Sequence, residues 1–433
     1  MELKTLEEGC GYRLNPIWIQ CLREEINTLK AKEECMWKQR SRNAWLKEGD
    51  SNTRYFHCRA NQRNPHNLVL GIEDEAGTWE EDEAAMSGMV ERYFETMFTT
   101  SNPSGFEDII NGVLLATLDD EEVNLGGDFQ AFEVYQALKQ MAPLTAPRPN
   151  GMSPIFYKSF WHIIGEDVTK VVLQAHNSGT VPAINSTFVA LIPKIKYPKK
   201  VSNFRPISLC NVIYKLISKV VVNRLKKFLA RLIPNSQSAF LSECLIIDNI
   251  LVAFETLHYL KRKTKGKLGY MDLKLDMSKA YDCVKMDFLE KIMIHLGMEG
   301  RMVKIIMSCL KFVSYSILLN GQLVGNIKPS RGLCQGDPLS PYLFLLCALG
   351  MQSLLQQAEV DGSIKVVSIS RNGPRVSHLF FADDSVLFCR AMELECQKIL
   401  DILAVYDRGS GQKINRDKTN IFFTSNTQQV LQA

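Results

Sequence analysis

The 12 cysteines include no pair spaced C-x-x-C, so the usual zinc-ribbon and thioredoxin-type signatures are excluded. The first ten residues, Met1 to Cys10, are charged rather than apolar, so no secretory signal is expected and no disulfide framework with it. The expected setting is reduced and intracellular, nucleus or cytoplasm, with buried unpaired thiols. Long apolar runs are also missing. The longest, Tyr342 to Gly350, falls far short of the roughly twenty residues a membrane helix needs, so no membrane partner is expected. The histidines at 57, 66, 162, 176, 258, 295 and 378 show no metal-ligand spacing and read as structural or surface groups. No internal repeat or low-complexity tract is visible.

What is present is ordinary in total and uneven in distribution. Hydrophobic residues make up 46% and charged residues 23%, which excludes wholesale disorder. At about 150 residues per domain, 433 residues suggest two to three domains. The formal charge of +4 conceals a segregation. Between Leu191 and Phe240 there is no acid, against Lys194, Lys196, Lys199, Lys200, Arg205, Lys215, Lys219, Arg224, Lys226, Lys227 and Arg231. Between Glu73 and Glu95 acids dominate and Arg92 is the one base. A cationic block of that length points to a polyanion-binding face whose affinity falls steeply with salt.

Periodicity sets the organisation. Residues 1 to about 50 carry apolar positions at helical spacing (Trp18, Leu22, Ile26, Leu29) and predict one or two amphipathic helices, paired as a hairpin with the next segment of chain. A short strand and acidic turn come next near 67–77, and a helix over 84–98. Pro103-Ser104-Gly105 suggests a linker near 100–110. Residues 127–176 read as helical, interrupted by Pro143, Pro147 and Pro149. Val189 to Lys194 predicts a strand, and Val212 to Leu232 a basic amphipathic helix with Leu216, Val220, Leu225 and Leu229 on its apolar face.

Further on, Met271, Leu273 and Leu275 alternate with Asp272, Lys274 and Asp276, a period of two that means a strand. Helices are expected from Met286 to Leu296, Arg301 to Lys311 and Pro341 to Gln357. Asn320-Gly321 between apolar runs predicts a hairpin. So does Asp383-Asp384, set as a two-residue turn between Leu379-Phe380-Phe381 and Val386-Leu387-Phe388.

An acidic pair in a turn commonly serves the local backbone. Here a third carboxylate, Asp276, closes another predicted strand. Three carboxylates on neighbouring strand ends would hold two magnesium ions, with manganese as an alternative. Such a pair activates an attacking hydroxyl and stabilises a leaving pyrophosphate.

At this point the chain resembles a known family. Lys274-Leu275-Asp276-Met277-Ser278-Lys279-Ala280-Tyr281-Asp282, then Arg331 to Pro341 with Cys334-Gln335-Gly336-Asp337, then Phe381-Ala382-Asp383-Asp384, look like the palm motifs of a reverse transcriptase. Leu191-Ile192-Pro193-Lys194 and Asn203-Phe204-Arg205-Pro206-Ile207-Ser208-Leu209 look like its fingers motifs. Their order, with Trp37 to Arg42 and Leu46 to Thr53 upstream, resembles the non-LTR (LINE-type) retrotransposons of plants.

The resemblance implies an α+β fold of right-hand fingers and palm with an antiparallel palm sheet. A mostly helical N-terminal extension would precede it and the thumb would be largely absent. It implies a helical extension over 1–105, a helical region with the proline loop over 106–180, and fingers and palm over 181–433. Asp276 and Asp383 would ligate both metals, with Asp384 in support. Tyr281 would sit under the sugar and exclude a 2′-hydroxyl. Lys194 and Arg205 would meet the triphosphate, and Gln335 and Gly336, at a helix start with Pro338 in its first turn, would let backbone approach template and nucleotide. Lys418 would protonate the pyrophosphate. Lys215, Lys219, Arg224, Lys226 and Lys227 would line the nucleic-acid channel. The implied partners are an RNA template, a DNA primer and deoxynucleoside triphosphates.

Some positions depart from that pattern. The proline loop carries Thr145, Arg148 and Asn150, with Arg148 in place of a glycine. Ser242-Glu243-Cys244 stands where Pro-Gly-Arg is usual, and Cys334 where arginine is common. These changes, and an end at Ala433 soon after Lys418, suggest a decayed or truncated copy. Two rival readings remain: a catalytically inactive remnant that binds nucleic acid through 191–240, and a magnesium-dependent nuclease using the same carboxylates.

Overall fold

The computed structural model describes residues 16–41, 68–100, 105–113, 125–143, 150–181, 185–234, 236–240, 246–264, 266, 268–368 and 375–427. Helix α1 (Pro16–Ser41) is the expected N-terminal helix, with Trp18 and Leu29 exposed. The hairpin expected after it, the side chains of Trp37 to Arg42 and the Leu46 to Thr53 segment lie outside the described residues, as do Thr145, Arg148 and Ser242 to Cys244. Strands β1 (Ile72–Glu73) and β2 (Trp79–Glu80) form a small hairpin. Helix α2 (Glu83–Phe98) starts where the Asp82 carboxylate accepts the Ala85 N–H at 2.8 Å, an N-cap. Its stripe of Met86, Val90, Phe94 and Met97 is buried at helical spacing.

The expected linker near 100–110 is not one over its described part. Phe106 to Ile110 enters helix α3 (Glu107–Ile110), and Ile109 is fully buried, because apolar residues after the Pro103-Ser104-Gly105 break find a core to dock in. Helices α4 (Ala131–Gln140), α5 (Pro154–Ser159) and α6 (Trp161–Ser178) come next, with Pro154 in the first turn of α5. Helix α7 (Val212–Leu232) has the predicted bounds. More of it is buried than one amphipathic face, since Ile217, Val221, Val222 and Phe228 are inside as well as Leu216, Val220, Leu225 and Leu229. Helix α8 (Ile246–Arg262) leads to the second half.

Two sheets organise the rest. One contains β3 (Ser186–Pro193), β4 (Phe204–Leu209), β6 (Ser314–Leu319) and β7 (Gln322–Ile327) in the order β4-β3-β6-β7, with β3 and β6 parallel. The β6–β7 turn is Asn320-Gly321, both at positive φ (48° and 91°), as the Asn-Gly signal requires. Helix α2 covers this sheet: Met86, Val90 and Phe94 share a core with Val189, Leu191, Phe204, Ile317 and Cys334. The acidic and basic segments meet there, with Lys199 Nζ 3.2 Å from Glu73.

The other sheet is antiparallel throughout, in the order β10-β11-β5-β12 with β13 also paired to β5. Its strands are β5 (Tyr270–Ser278), β10 (His378–Phe381), β11 (Asp384–Arg390), β12 (Lys413–Ile414) and β13 (Asn420–Phe423). A short pair, β8 (Val367–Ser368) and β9 (Arg375–Val376), precedes β10. Helices α9 (Ala280–Cys283), α10 (Met286–His295), α11 (Gly300–Lys311), α12 (Ser340–Val360) and α13 (Glu393–Ser410) complete the described chain. One apolar core runs from Ile109 through Val172, Leu225, Leu275, Ile305 and Phe344 to Tyr406, so residues on both sides of position 180 share it.

Helix α12 has 21 residues and a mean hydropathy of 1.3 over its most apolar window, long and apolar enough to cross a membrane by length and composition. That apolarity is accounted for by packing, since 72% of the window is buried in this core. Among the described residues Cys210, Cys283, Cys309, Cys334, Cys347 and Cys389 are buried thiols outside any disulfide.

Candidate functional site

The expected carboxylates are brought to one end of the antiparallel sheet. In β5, Met271, Leu273, Leu275 and Met277 point into the core, which leaves Asp276 on the other face. Strand β11 pairs with β5 so that Asp384 lies directly opposite Asp276, and β10–β11 closes with Phe381 opposite Asp384. The two turn residues are therefore Ala382 and Asp383, not the expected Asp383-Asp384, and Asp384 is already strand. Ala382 takes φ 53°, a left-handed conformation that costs a non-glycine residue free energy and is held by its surroundings. Gln237, 2% exposed, is one such support: its Oε1 accepts the N–H of Ala239 at 3.0 Å and of Ala382 at 3.4 Å. The Ser236–Ser238 backbone adds hydrogen bonds to Phe380 along the β10 edge.

Lys418 reaches the same end. Its Nζ is 3.6 Å from Asp276 Oδ2, and the Asp276 carbonyl accepts the Asn415 N–H at 2.8 Å. In kind, three carboxylates suit a hard divalent cation. Among the described residues no three His, Cys, Asp or Glu side chains are gathered into a ready-made metal site. Asp384 stands on a strand, Asp383 on the turn, and an ammonium lies beside Asp276.

Beside the carboxylates is a second group of expected residues. Lys279, at φ 51°, turns the chain sharply from β5 into α9 and so places Tyr281 beside the sheet end. The Tyr281 ring stacks on Phe344 of α12, centroids 5.0 Å apart at 18°. Burial, and then the charge of Asp383, push its phenol up to about 12, so it stays protonated. Lys194 follows β3, and Arg205 lies in β4 opposite Ile192. Lys194 Nζ donates to the Ser202 carbonyl at 3.0 Å. Partial loss of water lowers the Lys194 pKa, Asp282 opposes that, and Lys279, Arg205 and Lys418 reinforce it. Lys279, Arg205 and Lys418 are thus each close enough for Lys194 to feel their charge.

Gln335 and Gly336 lie in a turn ahead of α12, which begins at Ser340, so they are not at a helix start, and Pro338 is outside the helix. The reason is Asp337. It turns inward, fully buried, where Tyr214 Oη donates to Oδ2 at 2.6 Å and the Leu339 N–H to Oδ1 at 3.1 Å. Gly336 has φ 108°, and a Cβ there would stand 3.1 Å from the Ser208 carbonyl, so only glycine suits it. Gln335 Nε2 donates to Asp282 Oδ1 at 3.2 Å. Burial pushes Asp282 up to about 6, against the Gln335 hydrogen bond and the charges of Lys279 and Lys194. Sequence patterns assign no role to Asp282, Lys279 or Gln237. Asp282 and Lys279 stand inside a motif that carries the family resemblance, but the burial and partners of all three have no signature in the residue string.

Of the expected nucleic-acid contacts on α7, Arg224 is a correction. Its guanidinium pairs with Glu133 through two 2.8 Å bonds, donates to the carbonyls of Gly127 and Asp128, and packs 3.6 Å over the Phe129 ring. The side chains of this pair are only 13% and 16% exposed, so the cation ties α7 to α4 instead of facing solvent. Lys227 is exposed. Lys219 is lowered by burial and by Lys226, whose Nζ lies 5.5 Å from the Tyr342 ring centroid. Lys215 is half-buried on the same helix.

Known proteins are similar to this chain. A family model described as reverse transcriptase (RNA-dependent DNA polymerase) matches residues 197–431. An uncharacterized protein of transposon TX1 from Xenopus laevis is 25% identical over 384 residues, 88% of this chain and 29% of that protein. A retrovirus-related Pol polyprotein from a type-2 retrotransposable element of Drosophila melanogaster is 27% identical over 278 residues, 63% of this chain and 24% of its own length. An uncharacterized mitochondrial protein of Arabidopsis thaliana is 40% identical over 107 residues, 24% of this chain and 86% of that protein. The chain thus spans 29% and 24% of the length of the two transposon proteins.

Proposed function

Because the chain belongs to the reverse transcriptase (RNA-dependent DNA polymerase) family, we propose that it carries the fingers and palm of a non-LTR, LINE-type retroelement polymerase. The reaction is extension of a DNA primer 3′-hydroxyl on an RNA template with deoxynucleoside triphosphates. The observation that carries this reading is the placement of Asp276 opposite Asp384, one residue from the Asp383 turn, with Lys418 3.6 Å from Asp276. A plant element is part of the reading, supported by the 40% identity to the Arabidopsis protein.

Each residue then has a role. Tyr281, stacked on Phe344, forms the wall under the incoming sugar and excludes a 2′-hydroxyl. Lys194 and Arg205 meet the triphosphate, and the cation cluster around them offsets its charge. Gln335 and Gly336 present backbone and carboxamide to the nucleotide. Lys418 gives a proton to the departing pyrophosphate. Asp276 and Asp383, supported by Asp384, would hold two magnesium ions or manganese, and ions held there would supply Lewis-acid charge. Lys215, Lys219, Lys226 and Lys227 track phosphates.

A second reading is nucleic-acid binding without catalysis, which the exposed Lys227 and the half-buried Lys215 on α7 would serve without the carboxylates. Primer extension on poly(rA)/oligo(dT) with magnesium separates the two. Extension that Asp383→Ala abolishes supports polymerase activity. No extension alongside salt-sensitive binding refutes it and leaves the second reading, and cleavage without synthesis points to a nuclease.

A further inference from the structure

Asp282 is a buried carboxylate for which the proposed reaction has no use. It is 4% exposed, in the short helix that carries Tyr281, and burying a charge there is costly unless it is partnered. Its partners all belong to the nucleotide side of the site. Gln335 Nε2 donates to it at 3.2 Å, and the ammonium groups of Lys279 and Lys194 are close enough to favour its ionised form.

The backbone makes the same connection independently. The Leu333 N–H donates to the Tyr281 carbonyl at 2.7 Å and the Gly332 N–H to the Val284 carbonyl at 2.8 Å. Gly332, at φ 97°, lies so close that a Cβ there would be 2.8 Å from the Asp282 carbonyl. On its far side the same loop accepts the Ser208 N–H through the Gln335 carbonyl at 2.8 Å. Residues 332–335 are therefore fastened between α9 and β4, and the one flexible part of Gln335 is its side chain. Asp282 removes that freedom: with Nε2 committed as a donor, Oε1 of the carboxamide has a fixed direction.

We propose that Asp282 is a positioning residue for nucleotide binding, fixing the Gln335 carboxamide where the triphosphate is received. This rests on the polymerase reading for the identity of the ligand, not for its geometry.

The test reads equilibrium binding, so it needs no turnover. A fluorescent deoxynucleoside triphosphate is titrated with magnesium into the full chain bound to a primer–template, and affinity for the primer–template itself is measured in parallel. Asp282→Ala is expected to weaken triphosphate binding about tenfold while leaving primer–template binding unchanged. Asp282→Asn, which retains an acceptor for Nε2, should recover part of that loss. Because the two residues act as a unit, Gln335→Ala combined with Asp282→Ala should be no weaker than the worse single variant. Unchanged triphosphate affinity in Asp282→Ala overturns the proposal. So do losses that add in the double variant, an Asn variant no better than Ala, or absence of triphosphate binding by the unaltered chain. Triphosphate binding with no extension would refute polymerase activity and leave this proposal standing.

Discussion

Replacing Asp282 by asparagine should stabilise the fold above pH 6 while impairing its site. In the folded protein burial raises this carboxyl from 3.8 to about 6. Between those values the folded state holds a proton that the unfolded chain releases. The stabilising contribution of the protonated form is therefore complete below pH 3.8 and is lost as pH rises through about 6. At about 1.4 kcal/mol per pH unit, roughly two units correspond to a ceiling of about 3 kcal/mol for holding the ion at neutral pH. Asparagine has nearly the same volume, still accepts from Gln335 Nε2 at the 3.2 Å position, and never ionises. Urea unfolding of Asp282→Asn at pH 7.5 should thus give a free energy about 1–3 kcal/mol above that of the unaltered chain. At pH 4 the difference should shrink toward zero. A gain of equal size at both pH values would contradict this account, because it would come from packing and not from charge. A loss at pH 7.5 would show that the attraction of Lys194 and Lys279 exceeds the desolvation cost. A residue whose removal stabilises the protein while weakening its site is the expected mark of selection for function.

Two further outcomes are expected. Arg224→Met should destabilise the chain by about 3 kcal/mol in urea unfolding at pH 7.5, since it strands a half-buried Glu133 carboxylate that Arg224 and the Gln130 backbone hold below its usual value against the effect of burial. That loss should shrink as pH falls, because the carboxylate stranded by the substitution is relieved by protonation. The salt slope of nucleic-acid binding should stay unchanged. Gly411→Ala should cost more than Gly321→Ala in thermal unfolding. Both glycines have positive φ (82° and 91°), but a Cβ at 411 would collide with the Cys283 carbonyl and one at 321 would meet open space. Equal costs would mean that strain alone decides and that the close approach of α13 to α9 is relieved without penalty.

Some of this protein was legible in the order of its residues because the physics involved is local. Alternation of Met271, Leu273 and Leu275 with charged neighbours names a strand whatever lies around it, and β5 is there. The Asn320-Gly321 pair names its turn because few residues tolerate two positive φ angles in succession. The limits of α7 follow from apolar spacing alone. The ordered motifs that carry the family resemblance are a matter of sequence too, and they include each of Asp276, Asp383 and Asp384.

Other properties arise only through tertiary contact. Arg224 reads as one more cation in an acid-free block until Glu133, 91 residues earlier, comes within 2.8 Å and takes it inward. Phe106 to Ile110 looks like a linker until Ile109 finds the core. The resemblance sets Gln335 and Gly336 at a helix start, but Asp337 is drawn inward to Tyr214 and α12 begins at Ser340. Asp282 is one acid among many in the string; its raised pKa and its hold on Gln335 exist because the loop at 332–335 is pressed against it. Propensity and periodicity act over a few residues, so residue order alone settles which backbone shapes form and which chemical groups are present. Which of those groups lose water, and which charge each one faces, is settled in three dimensions, because burial and Coulomb interactions depend on distance in space and not along the chain.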